Sequence, residues 1–204
     1  MGRTRSHWDD VYRTKAETAV SWHQHHAVRS LEWIASAAPG RDAAIVDIGG
    51  GASTLVDDLV ASGYTDISVL DISETSLALA KTRLGEKAAK IAWTVADITE
   101  WKPARAWDVW HDRAVFHFLT GRAQQDAYIA ALSAGTIAGS TIIMATFALD
   151  GPEKCSGLPV QRYSPETLAA RIGPDFALTA DARETHVTPW GAEQRFSYAV
   201  FRRR

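Results

Sequence analysis

From residue 43 onward, short apolar runs alternate with helix-like segments, and the first three runs each end at or beside an aspartate. Ala43 to Ile48 runs into Gly49-Gly50-Gly51, Ile67 to Leu70 ends at Asp71, and Ile91 to Ala96 ends at Asp97. Trp107 to Trp110 and Thr141 to Phe147 are a fourth and a fifth run. Helices are expected between them, over Ser53 to about Ala61, Glu74 to Leu84 and about Arg122 to Ala134, with a further one from Ser164 to Arg171. Ser73 and Ser164 stand where N-caps belong, Pro165 suits a first helical position, and Gly85 and Gly173-Pro174 are stop signals. Such alternation predicts an α/β fold, with a mostly parallel sheet and helices on both faces. The last two runs, Ala177 to Thr188 and Glu193 to Arg202, are separated only by Pro189-Trp190-Gly191. So short a link joins antiparallel neighbours, and the sheet should end in an antiparallel hairpin. Residues 1–42 read as an N-terminal helical cap or lid, with helices over Ser6 to Thr14 and Ala27 to Ala38. Residues 43–204 read as one ligand-binding domain.

The composition narrows the function classes. A chain of 204 residues can bury a full core without staples. A net charge of −2 gives no electrostatic footprint for nucleic acid, so none is expected as a partner. One cysteine, Cys155, excludes a disulfide framework and a thiolate zinc site. No stretch approaches the roughly 18 apolar residues of a membrane span, and the N-terminus lacks the apolar core of a signal peptide. The expectation is a cytoplasmic protein with no membrane partner, a monomer or weak dimer. Eight tryptophans against two methionines is an unusual ratio, because a buried indole needs a partner for its N–H.

Open α/β sheets bind ligands beyond the carboxyl ends of their strands. The first of those ends reads Asp47-x-Gly49-x-Gly51. A G-x-G-x-x-G dinucleotide fingerprint counted from Gly49 would need glycine where Thr54 stands, and no Gly-Lys-Ser/Thr follows for a P-loop. An acid just before the first glycine would repel a diphosphate but suits an ammonium group. Asp71, 20 residues after Gly51, is where an acid accepts hydrogen bonds from ribose hydroxyls. Asp97 with Ile98 beside it suits an adenine ring and its amino group.

These residues, with the strand pattern and the terminal hairpin, resemble class I S-adenosylmethionine-dependent methyltransferases from about residue 43 to the end. The resemblance implies a seven-stranded Rossmann-like sheet and S-adenosyl-L-methionine as cofactor. It places Gly49, Gly50 and Gly51 against the methionine part with Asp47 nearby, Asp71 at the ribose, and Asp97 and Ile98 around the adenine, with Ile72 also among the cofactor-binding residues. Trp22, in Trp22-His23-Gln24-His25-His26, is read as part of a lid over the cofactor. The spacing of these histidines lacks the i,i+4 pair of a metal-binding helix, and no metal is expected.

The stretch Trp110 to Phe118, leaving the fourth strand, should line the acceptor pocket. His111 or His117 is a candidate base, Asp112 a candidate acid, and Arg113 a cation able to clamp a substrate carboxylate. Alternatively, Asp112 and Arg113 form a local ion pair and the histidines are packing residues. Asp112-Arg113, Tyr128 and Gly157-Leu158-Pro159-Val160 are similar in outline to thiopurine S-methyltransferases. Trp8 and Trp22 are similar both to that group and to compact lysine methyltransferases. The lysine enzymes carry Asp-Lys-Gly where this chain has Asp112-Arg113-Ala114. The resulting expectation is methyl transfer to the oxygen or sulfur of a small molecule by direct displacement. The alternatives are a protein lysine methyltransferase and a non-catalytic cofactor-binding protein.

Overall fold

A computed structural model describes residues 2–204, with side-chain surroundings from residue 5; Met1 of the expected cap lies outside the described residues. Nine strands and six α-helices are present among them. β1 (Ala44–Ile48), β2 (Asp66–Asp71), β3 (Ala92–Val95), β4 (Val109–Arg113) and β5 (Thr141–Phe147) run parallel. β8 (Phe176–Val187) and β9 (Glu193–Arg203) form the antiparallel hairpin, and β9 pairs with β5. The seven-stranded order is β3-β2-β1-β4-β5-β9-β8. This is the seven-stranded Rossmann-like sheet, mostly parallel with an antiparallel terminal hairpin, expected from the sequence. A small separate hairpin, β6 (Lys154–Cys155) with β7 (Leu158–Pro159), was not signalled by any periodicity.

Alternation along the strands builds two cores. Ile45, Val109 and Ile143 face a layer holding Ile34 of α2 (Val28–Ala37), Leu59 of α3 (Leu55–Ala61) and Leu77 of α4 (Glu74–Leu84). Val46, Trp110 and Met144 face the other layer, with Tyr128 and Leu132 of α5 (Arg122–Ala134) and Leu168 of α6 (Pro165–Ile172). Strands buried on both faces are what a parallel sheet covered by helices requires. α1 (Gly2–Thr14) lies near α4. The two serine caps form: the Ser73 hydroxyl accepts from the Ser76 amide, and that of Ser164 accepts from the Thr167 amide, with Pro165 at the first position. Gly85 and Gly173 close their helices with positive φ of 57° and 100°.

One boundary differs in a way that matters. The fourth strand does not stop at Trp110 but continues as Val109–Arg113. His111 pairs with Asp47 and Ile143, and Asp112 with Ile48 and Met144, so these polar residues belong to the sheet. Because a strand alternates its faces, His111 and Arg113 share one side, and Asp112 turns to the opposite side with Trp110.

The tryptophans divide by role. Trp110 donates to the Tyr128 hydroxyl at 3.0 Å, Trp107 to Ser68 Oγ at 3.1 Å and Trp93 to the Ala88 carbonyl at 2.9 Å. Trp101 packs against Trp107 and Trp110. Trp190, at the hairpin turn, is exposed.

Candidate active site

A cleft of about 300 Å³ opens at the carboxyl ends of the parallel strands. One wall carries Gly49, Asp71, Ile72, Asp97 and Ile98, which the topology brings together from β1, β2 and the segment after β3. Trp8, Tyr12 and Trp22 of the N-terminal segment line it, and Arg113, Phe118, Cys155 and Phe196 complete it. A smaller cavity of about 50 Å³ is lined by Asp47, Gly50, Ser30 and His111. Tyr12, Trp22, Gly49 and Arg113 line both.

The glycine turn is shaped by close approach. Gly49 has φ of 69°, and a Cβ there would stand 2.0 Å from Val115 Cγ2. Gly51 has φ of 44°, and its Cβ would stand 2.7 Å from Asp71 Oδ2. Left-handed backbone and lack of space both demand glycine at these two positions. The Gly49 and Gly50 amides donate to the Leu70 carbonyl at 2.6 and 3.2 Å, fastening the turn to the end of β2.

Asp71 is buried and accepts from the Ser73 amide at 2.8 Å. Burial raises its pKa to about 7; hydrogen bonds from Ser73 and Ser76 oppose the rise, and the charges of Asp47 and Asp9 add to it. Asp97 accepts from the Thr99 amide at 2.9 Å and the Thr99 hydroxyl at 2.7 Å. Asp47 is buried beneath the glycine turn, its Oδ1 2.7 Å from His111 Nδ1.

The aromatic cover is a packed cluster. Trp8 meets Trp22 edge-on at 5.6 Å and Phe118 edge-on at 5.1 Å, and Tyr12 meets Trp22 at 6.1 Å. Two polar latches hold the segment to the body. Asp9 accepts from the Ser73 hydroxyl at 2.6 Å. Arg83 donates to Glu17 at 2.6 Å and Asp57 at 2.7 Å, and to the carbonyls of Ala52 and Ser53 at 3.1 and 2.8 Å.

The four residues expected to act on the acceptor separate. Arg113 reaches the cleft, but its guanidinium lies 4.3 Å above the Phe196 ring and 3.4 Å from Glu184, so its charge is already paired. The alternative of a local Asp112–Arg113 ion pair is not realised either, because the two side chains leave opposite faces of β4. Asp112 is buried and accepts from the Tyr128 hydroxyl at 2.6 Å and from the Val115 and Phe116 amides at 2.9 and 3.1 Å. Burial raises its pKa to about 6 against those hydrogen bonds. His111 has both ring nitrogens engaged, Nδ1 with Asp47 and Nε2 with Ser30 Oγ at 2.8 Å. His117 is buried, and its Nδ1 accepts from the Phe147 amide at 3.3 Å. Burial, with Arg113 nearby, lowers its pKa to about 3 and keeps it neutral. Cys155 lines the cleft with its thiol pushed up to about 11 by burial.

Several lining residues escaped the sequence reading. Tyr12 stands one helical turn after Trp8, a spacing that could have revealed it. Ser30 and Phe196 arrive from distant elements and carry no local signal, and neither does Glu184, which pairs with the lining Arg113. Among the described residues, no group of three His, Cys, Asp or Glu is arranged to hold a metal ion, and no helix is long and apolar enough to cross a membrane.

Residues 45–134 match the family model described as a methyltransferase domain. No curated protein matches the chain. Among solved structures, the chain is similar to an S-adenosylmethionine-dependent methyltransferase from Anabaena variabilis, at 14% identity and a TM-score of 0.76 over 100% of this chain and 94% of the other. It is also similar to a 1,6-didemethyltoxoflavin-N1-methyltransferase from Burkholderia thailandensis, at 18% identity and a TM-score of 0.67 over 99% and 84%. A third is the N-methyltransferase NodS from Bradyrhizobium japonicum, at 16% identity and a TM-score of 0.69 over 86% and 84%. At these identities the likeness is one of fold. The chain carries a methyltransferase domain at residues 45–134, set in the fold of the S-adenosylmethionine-dependent methyltransferases.

Proposed function

We propose that this methyltransferase binds S-adenosylmethionine across the two adjoining cavities and methylates a small-molecule acceptor by direct displacement. The observation that carries the reading is the cleft wall itself, with a glycine turn and two aspartates from three successive strand ends facing an aromatic cover. When bound, the cofactor supplies a methyl carbon on a positively charged sulfur. The protein's part is to bind, align and exclude water. Asp47 takes the ammonium end beside Gly49, Gly50 and Gly51. Asp71, with Ile72 next to it, takes the ribose hydroxyls, and Asp97 and Ile98 frame the adenine. Trp22, with Trp8 and Tyr12, closes the site, so residues 1–42 act as a cap on a body formed by residues 43–204.

With its charge paired to Glu184, Arg113 is poorly suited to clamp a substrate carboxylate. His111, Asp112 and His117 are engaged in holding the pocket, and we assign no general base from β4. An oxygen or sulfur nucleophile that ionises in solution fits this, and the sequence likeness to thiopurine S-methyltransferases makes aromatic thiols the first acceptors to test. A ring nitrogen with its own lone pair is the second reading. It is favoured by the same lack of a base and by neighbours described as N-methyltransferases.

The test is release of S-adenosylhomocysteine from S-adenosylmethionine against thiols, phenols, carboxylic acids, nitrogen heterocycles and lysine peptides. Turnover with a small thiol, phenol or heterocycle supports the reading. Turnover confined to lysine peptides, or none with any acceptor, overturns it.

A further inference from the structure

We infer that His111 is a positioning residue for the amino-acid end of the cofactor, acting through Asp47. The inference rests on the reading of Asp47 as the partner of the cofactor's ammonium group. His111 and Asp47 are register partners on adjacent central strands, and both are buried. A carboxylate taken out of water there is costly unless it is hydrogen-bonded. A well-packed apolar pair could serve stability alone as well or better. The structure instead holds a continuous chain of hydrogen bonds. His111 Nδ1 lies 2.7 Å from Asp47 Oδ1, His111 Nε2 2.8 Å from Ser30 Oγ, and Ser30 Oγ 3.3 Å from the Tyr198 hydroxyl.

With His111 neutral, one assignment of protons satisfies every link. The Tyr198 hydroxyl donates to Ser30, the Ser30 hydroxyl donates to His111 Nε2, and His111 Nδ1–H donates to Asp47. In this direction a neutral histidine fixes the rotation of the carboxylate without cancelling its charge. Oδ1 is then committed to His111. Oδ2 accepts no protein hydrogen bond among the described residues and lies against Gly50, whose Cβ would stand 2.5 Å from it. The free oxygen of Asp47 therefore sits at the glycine turn, in the small cavity, with its orientation set from behind. The chain also joins α2 of the cap and β9 of the hairpin to that carboxylate.

The experiment is calorimetric binding of two probes to the full chain: S-adenosylhomocysteine, and 5′-methylthioadenosine, which keeps the thioether nucleoside but lacks the amino-acid end. His111→Phe is expected to weaken S-adenosylhomocysteine by about tenfold or more, the scale of one hydrogen bond to a charged group, and to leave methylthioadenosine within about twofold. Ser30→Ala should shift the same probe in the same direction by less. His111→Asn, which keeps a side-chain N–H, should recover most of the loss. Melting curves identify a variant that fails to fold; if His111→Phe does, Ser30→Ala and His111→Asn carry the comparison. Equal weakening of both probes, or no weakening of either, overturns the inference while leaving the cofactor reading intact. Failure of the unmodified protein to bind either probe overturns that reading, and the inference with it.

Discussion

The Asp112 carboxylate accepts the Tyr128 hydroxyl at 2.6 Å on the face of β4 opposite His111 and Arg113. A residue that seemed placed for proton transfer is instead the anchor of the turn that follows the strand, through the Val115 and Phe116 amides. Asp112→Ala leaves two amides and a phenol unsatisfied, and a loss of roughly 3 kcal/mol of stability is expected. Because the folded pKa, about 6, lies above the ordinary carboxylate value, the fold holds this proton more tightly than the unfolded chain does. The stability from that proton is full below the unfolded value and is lost as pH rises through about 6. Asp112→Asn should remove this part of the pH dependence in thermal melts between pH 4 and pH 8.

Asp71 gives a second, functional pH dependence. Its pKa is about 7, chiefly through burial, and ribose hydroxyls donate best to the ionised form. S-adenosylhomocysteine affinity should rise about fivefold from pH 6 to pH 7 and about tenfold by pH 8, and level off above that. The free fold moves the other way, losing the stabilising proton as pH rises through about 7. Asp71→Asn should flatten the binding profile and lower affinity at high pH. An unchanged slope in that variant would assign the titration to another group.

Gly49→Ala combines a positive φ with a clash at 2.0 Å from Val115. Roughly 2 kcal/mol or more of destabilisation is expected, with loss of cofactor binding. Val115→Ala in the same chain should restore part of the stability. A double-mutant cycle in denaturant measures the coupling, and simple additivity would contradict the contact.

Arg83 binds Glu17 of the cap linker, Asp57 of α3 and two carbonyls of the glycine-turn segment at once. A lysine cannot reproduce that fork, so Arg83→Lys should behave nearly as Arg83→Ala. Both are expected to speed amide exchange over residues 15–25 and to weaken cofactor binding several-fold, an order-of-magnitude expectation for losing charge-assisted bonds. Glu17→Gln should reproduce the exchange effect on the cap, with a smaller effect on affinity. Unchanged exchange in Arg83→Ala would show that the linker is held by other contacts.

Much of this arrangement was legible before the structure. The aspartates at three strand ends, the serine caps with their closing glycines, and the unbroken turn at Pro189-Trp190-Gly191 each have a local cause, and local causes are written in neighbouring residues. Among the site residues, the misreading lay in β4. His111, Asp112 and Arg113 look like loop chemistry because they are polar, yet each is paid for by a partner from elsewhere: Asp47 and Ser30, Tyr128, and Glu184. Those partners lie between 16 and 81 residues away, so no window along the chain reveals them. Extending the strand through Arg113 then decides which side chains face the cleft, because alternation sends Asp112 to the opposite side. Phe196 reaches the pocket, and Glu184 reaches Arg113, only through the register of the terminal hairpin, where they are direct partners.

The most direct measurement is a calorimetric titration of the purified chain with S-adenosylmethionine. The account predicts saturable one-site binding that is lost or strongly weakened in Asp71→Ala and Gly49→Val and retained in Arg113→Ala. Absence of binding at millimolar S-adenosylmethionine, or binding indifferent to Asp71 and Gly49, would contradict it.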